Sequence, residues 1–351
     1  MAEVETQVRC SKADCPVASG GGCSEGYDPI QSCPYYGRTA DDDVDEGVAG
    51  FEDRERASSV DDDVVPLASG EALDGLEVDV FLRWRPATFV TIVGDRDSGK
   101  TTLVAAFYDR FLRGPFADHI FAGSRTLVGL EKRSHYARAD SGRAKPDTPR
   151  TSISEGLSYF HFAVRSVALP APRTDLMLTD RAGETYRQAR SNSELVPQLT
   201  ELSQADRVVL LLDGARIADA VTRAGAMQAV RQSLRAFLDG GGLRHESVVQ
   251  VVTTKIDLLE RHPEQAAIRD QLTAFKDRLV QSFAPRLASL TFWDIAARDP
   301  DGLYPPAYGV EPLFRNWLTP YEVTVAPAVL PGTLLSEFDK LLLRTPLETL
   351  P

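Results

Sequence analysis

Apolar positions along this chain follow two rhythms, and both belong to the stretch from residue 67 onward. Short unbroken apolar runs read as buried strands: "ATFVTIVG" from residue 87, "LSYFHFAV" from 157, "TDLMLTD" ending at Asp180, "RVVLLLDG" from 207, residues 248–252 and "LTFWDIAAR" from 290. Between them, apolar residues returning every three or four positions predict helices over 71–82, 101–112, 217–238, 263–283 and 308–318. Three glycines at 240–242 stop the third of these. Strand and helix in alternation predict the α/β class, a three-layer fold with a mostly parallel central sheet spanning residues 67–320.

The flanks carry neither rhythm. Residues 1–38 hold all four cysteines, Cys10, Cys15, Cys23 and Cys33, in a segment with too few core residues to fold on burial alone. Four thiolates around a Zn²⁺ would supply the missing free energy, so a small zinc module is one expectation. The spacings C-x4-C, x7 and C-x9-C are not paired C-x2-C knuckles, and a reduced tail, disulfides or an iron–sulfur centre stay open beside zinc. Residues 39–66 form an acidic linker. Eleven acids against two arginines between positions 41 and 63 account for -9 of the net charge of -12. With few large apolar side chains that stretch is expected to be disordered. The tail, 321–351, is apolar but punctuated by proline, with a helix predicted over 334–343.

Charge and hydropathy then exclude some functions. An acidic chain without a basic stripe argues against direct nucleic-acid binding. The longest apolar run, residues 208–212, is too short to span a bilayer, and the N-terminus lacks a basic, apolar leader, so no transmembrane segment and a cytoplasmic location are expected.

The chemistry sits where strands end. After the strand from residue 87 comes "GDRDSGKTT", in which Gly94, Gly99, Lys100 and Thr101 match G-x-x-x-x-G-K-[ST] between a strand and a helix. That loop converges backbone N–H groups on phosphate oxygens, with Asp97, Ser98 and Thr102 among its members. Lys100 reaches the β and γ phosphates, and the Thr101 hydroxyl ligates Mg²⁺. "DRAGE" follows a later strand, so Asp180 is expected to hold Mg²⁺ through water and the Gly183 N–H to donate to a γ-phosphate. Glu184 stands where a water-orienting glutamine is usual, as a weak base, a water holder or a pairing site for a partner's arginine. Thr254, Lys255 and Asp257 form T-K-x-D: a carboxylate can accept from guanine N1–H and its exocyclic amine, a donor pair adenine lacks. Ala297 belongs to a loose match of the loop whose N–H meets guanine O6. Thr151 is the expected first-switch ligand of Mg²⁺, with Thr126 and Thr148 as rivals. Arg223, Arg231 and Arg235 lie at helical spacing and read as a solvated face.

In order and spacing these motifs resemble the P-loop GTPase superfamily. The long "FAGSRTLVGLEKR" insert, the acid in "DRAGE" and the cysteine- and proline-containing N-terminus resemble, within it, the bacterial double-GTPase family, type two. That resemblance implies a GTP/GDP and Mg²⁺-dependent switch in a bacterial conflict or defence system, acting with effector or regulatory partner proteins. Slow GTP hydrolysis is the expected activity. A non-hydrolysing, GTP-gated adaptor docking partners through the cysteine-rich segment, and a P-loop ATPase or kinase, are the alternatives.

Overall fold

The computed structural model describes residues 17, 29–33, 36–37, 68–135, 156–168, 171–299 and 302–320. All but Pro320 fall within one compact unit that ends at Thr319. Its first helix, α1 (Gly75–Leu82), starts four residues later than the periodicity predicts. The reason is local. Asp74 accepts from Glu77 N at 2.8 Å while the Glu77 carboxylate accepts from Asp74 N at 3.0 Å, a reciprocal cap that fixes the start. Leu73 is already committed to a bridge with Tyr159.

Strand β1 (Thr88–Val93) leads through the glycine-rich loop into α2 (Lys100–Leu112). The insert then folds as β2 (His119–Gly123) and α3 (Leu127–His135), and the chain returns in β3 (Ser158–Ser166) and β4 (Arg173–Asp180). Next come α4 (Gly183–Ser191), a 3-10 turn at Ser193–Gln198, α5 (Thr200–Gln204) and β5 (Arg207–Asp213). The predicted helix over 217–238 is two helices, α6 (Gly214–Ala218) and α7 (Arg223–Asp239). Asp219 breaks it by accepting from Val221 N at 3.1 Å and from the Thr222 hydroxyl at 2.8 Å, a turn that competes with helical bonding. Strand β6 (Val248–Thr254), α8 (Ile256–Glu260), α9 (Gln265–Phe283), β7 (Ser289–Asp294) and α10 (Val310–Leu318) complete the unit.

The sheet has seven strands in the order β2-β3-β4-β1-β5-β6-β7. From β4 to β7 all pairings are parallel; β3 runs antiparallel to β4, and β2 antiparallel to β3. Alternation along the strands divides the core between two faces. Val208, Leu210 and Leu212 of β5 join Tyr186, Leu234, Phe237 and Phe275 from α4, α7 and α9. Val209 and Leu211 join Phe107, Leu130, Phe314 and Trp317 from α2, α3 and α10. This is the three-layer, mostly parallel α/β fold that the periodicity predicts. Each fully buried side chain of this size contributes about 1.5–3 kcal/mol of apolar transfer. A buried glutamine on β6 orients the last helix: Gln250 accepts from Trp317 Nε1 and donates to Asn316, both at 2.7 Å.

Arg223 corrects the expectation of a solvated arginine face. Its guanidinium is buried and donates to the Ile217 and Ala218 carbonyls at 2.7 and 3.0 Å, closing the C-terminal end of α6. Arg231 and Arg235 are exposed as expected.

Candidate functional site

Parallel strands deliver their following loops to one edge of the sheet, the edge at which open α/β sheets bind ligands. The loops after β1, β4, β5, β6 and β7 therefore converge there. In the loop after β1, Gly99 at φ 96° turns the chain into α2, a left-handed conformation that glycine adopts without steric cost. Asp97 also has positive φ, 61°. Lys100 folds back over its own loop, donating to Gly94 O at 2.7 Å and Asp95 O at 3.1 Å, which leaves one of its three N–H donors for a ligand. Burial pulls the Lys100 ammonium below its ordinary value, and the carboxylates of Asp180, Glu184, Asp95 and Asp97 oppose that shift.

The second loop packs against the first. A Cβ on Gly183 would lie 2.6 Å from Gly94 O and 2.9 Å from Arg96 N, so only glycine lets the start of α4 approach the loop this closely. Asp180 is buried at the end of β4, and Glu184 is half-buried in the first turn of α4. Arg181 pairs with the buried Glu201 at 2.7 Å, and Glu201 also accepts from the Tyr186 hydroxyl at 3.0 Å. Burial, with the Glu201 charge nearby, raises the Tyr186 phenol well above its ordinary value. Arg181 is thereby tied into the base of the second loop. Arg96 is exposed beside Asp97.

The T-K-x-D segment closes the site from the other side. Lys255, at φ 52°, sends its ammonium to Asp97 O at 2.7 Å and to Asp213 Oδ1 at 3.0 Å, so its stem bridges the end of β6 and the glycine-rich loop. The Thr254 hydroxyl donates to Ser98 O at 2.9 Å. Asp257 is buried in α8. Ala297 lies in the adjoining loop, which Ala296 N ties to Tyr308 O at 3.0 Å and Ile256 N ties to α8 through Ile295 O at 3.1 Å.

Three arginines and one aspartate in this region carry no motif. Asp95 receives Arg190 of α4 and Arg216 of α6, both at 3.0 Å. Asp213 caps α6 through Ala215 N at 3.0 Å while holding Lys255. Arg133 of α3 reaches Asp180 at 3.3 Å. Asp213 follows an apolar strand and could be flagged by position; the arginines come together only through tertiary packing.

Thr126, a rival for the first switch, packs inside the domain. It is fully buried, its hydroxyl accepts from His161 N at 2.9 Å, and its backbone carbonyl starts α3. Thr151 and Thr148 lie outside the described residues, as do Cys10, Cys15 and Cys23; Cys33 is buried. Among the described residues no group of three or more His, Cys, Asp or Glu is arranged to hold a metal, and zinc gains no support. No helix among them is long and apolar enough to cross a membrane.

The donors suit a phosphate–Mg²⁺ ligand: an ammonium with one direction left, the Thr101 hydroxyl, a buried carboxylate, and a buried Ser98 hydroxyl without a hydrogen-bond partner. A glycine-rich loop, D-x-x-G and T-K-x-D on one edge of a mostly parallel sheet define a P-loop GTPase. The family model described as Double-GTPase 2 matches residues 88–318, and the chain belongs to that family. It is accordingly a GTP-binding P-loop protein, and the family implies GTP or GDP with Mg²⁺.

No curated protein matches the chain. Solved structures similar to it include the signal recognition particle receptor SRb-GTP/SRX complex from Chaetomium thermophilum, 17% identical over 67% of this chain and 98% of that one, TM-score 0.38. Translation elongation factor SelB from Methanococcus maripaludis is 15% identical, with 68% of this chain and 35% of that one covered, TM-score 0.36. The Ski7 GTPase-like domain of S. cerevisiae is 14% identical, with 71% and 54% covered, TM-score 0.36. The chain thus spans about a third of that SelB chain and about half of that Ski7 chain. Likeness this distant says nothing of substrate or partner.

Proposed function

We propose that the protein is a Mg²⁺-dependent molecular switch that hydrolyses GTP slowly. The observation that carries this is the convergence of all three motifs on one loop: Lys100 on Gly94 O, Gly183 against Gly94 O, and Lys255 on Asp97 O. Loop N–H groups and Lys100 hold the phosphates and stabilise charge on the transferring γ-phosphoryl group, which is most of what such catalysis requires. Thr101, Asp180 and Thr151 would hold Mg²⁺, which supplies further charge neutralisation when bound. Gly183 N–H reports the γ-phosphate to α4, whose rearrangement on its loss is the switch. Asp257 selects guanine, the Lys255 stem supports the base, and Ala297 N–H faces O6. Glu184 points a carboxylate toward the same charge that the γ-phosphate carries, which keeps basal turnover low. The family assignment supports a place in a bacterial conflict or defence system, with partner proteins as effectors.

Phosphate release from Mg²⁺·GTP by wild type and Lys100→Ala tests this reading. Slow release abolished by the substitution supports it. Tight GTP binding without any release would instead favour a nucleotide-gated adaptor.

A further inference from the structure

Resting on that reading of Asp180, we propose that Arg133 is a built-in competitor of Mg²⁺ at Asp180 and sets how strongly Mg²⁺ and guanine nucleotide bind in concert. Arg133 Nη2 lies 3.3 Å from Asp180 Oδ2, with side-chain exposures of 16% and 4%. A pair this sheltered is screened little, so its charge bears directly on any second cation at the same carboxylate. The guanidinium also lies over the Phe160 ring, 5.9 Å from its centroid.

Arg133 stands on an anchored helix. It is carried by α3, and α3 is held by Ser134 donating to Asp109 of α2 at 2.6 Å, by Lys132 on Glu71 at 2.5 Å, and by Gly129 N on Gly70 O at 2.9 Å. A surface arginine would swing away from an arriving dication at small cost. This one is sheltered with the carboxylate it pairs with, so Mg²⁺ must share Asp180 with it or displace it. The same positive charge favours the phosphates of a nucleotide in the absence of metal. Both effects lower the cooperativity between metal and nucleotide.

The measurement is the GDP dissociation constant with Mg²⁺ and with EDTA, taken as a ratio, for wild type, Arg133→Met and Arg133→Lys. Removing the cation is expected to raise the EDTA-to-Mg²⁺ ratio by roughly tenfold, within the usual span of coupling between sites. Arg133→Lys keeps the charge and is expected to stay near wild type. Arg133→Gln repeats the neutral test if the methionine variant does not fold. A ratio unchanged or lower in the neutral variants, or as high in Arg133→Lys as in Arg133→Met, overturns the proposal. Failure of wild type to bind GDP in either condition would overturn the nucleotide reading itself, and is distinct from both.

Discussion

At the scale of single residues, the site depends on backbone approach as much as on functional groups. Gly183→Ala places a methyl 2.6 Å from Gly94 O, so either the glycine-rich loop or α4 must move. The expected loss is about 1–3 kcal/mol of stability, read from denaturant midpoints, together with weakened GTP binding. Glu184 tests the chemistry more sharply. Among the described residues its carboxylate has no hydrogen bond or ion pair, although it stands near enough to Lys100 to oppose the depression of that amine. If Glu184 acts as proposed, Glu184→Gln removes a negative charge near Lys100 and is expected to raise basal hydrolysis severalfold in single-turnover assays. Unchanged basal and partner-stimulated rates in Glu184→Ala would place the residue on the switch surface and outside the chemistry.

Elements show what was legible in the sequence and what was not. The strands β1, β4, β5 and β6 are apolar runs because both their faces are covered. The three motifs were legible because each needs its residues at fixed spacing in one loop. The break between α6 and α7 was not, since Asp219 and Thr222 make a turn without glycine or proline. Arg223 departs from expectation for a related reason: helical spacing marks a face, but the carbonyls that Arg223 caps belong to the preceding helix. Arg223→Met is expected to cost about 1–3 kcal/mol in denaturant unfolding, because two helix-end carbonyls lose their buried donor. Strand β2 was missed because its residues are half-buried and follow no clear period.

The β3–β4 pair carries a second hidden device. His161 is buried, accepts from Arg125 N through Nδ1 at 2.9 Å and meets Asp175 through Nε2 at 2.9 Å, which fixes the neutral ring with its proton on Nε2. Burial lowers its pKa against the opposing pull of Asp175. For Asp175 burial acts upward, but hydrogen bonds from Arg173 and His161 outweigh it and hold the carboxyl low. With the folded-state His161 value depressed, the unfolded chain binds more protons near pH 6.5. The stability His161 provides is therefore complete above about pH 6.5 and is lost as pH falls below it. Asp175 adds a further loss only at pH values under the ordinary carboxylate range. Melting temperatures between pH 8 and 5 should fall on the acid side in wild type, and His161→Gln should flatten that fall; an equal slope in both would assign it elsewhere.

For the molecule as a whole, the sheet serves as a frame that brings five loops to one edge, and the ligand belongs where those loops meet. Any ligand bound only by the folded chain stabilises it by mass action, roughly 2.7 kcal/mol at a hundredfold excess over its dissociation constant. Mg²⁺·GDP should accordingly raise the melting temperature where Mg²⁺·ADP does not. By the proposed function, Thr254, Lys255 and Asp257 make this edge a guanine site. Titration calorimetry of GTP and ATP with Mg²⁺, on wild type and Asp257→Ala, tests it most directly. Strong preference for GTP is expected in wild type, with the preference lost and GTP affinity reduced by roughly ten- to a hundredfold in the variant, the cost of leaving two guanine donors unpaired. Equal GTP and ATP affinities in wild type, or an undiminished preference in Asp257→Ala, would contradict it.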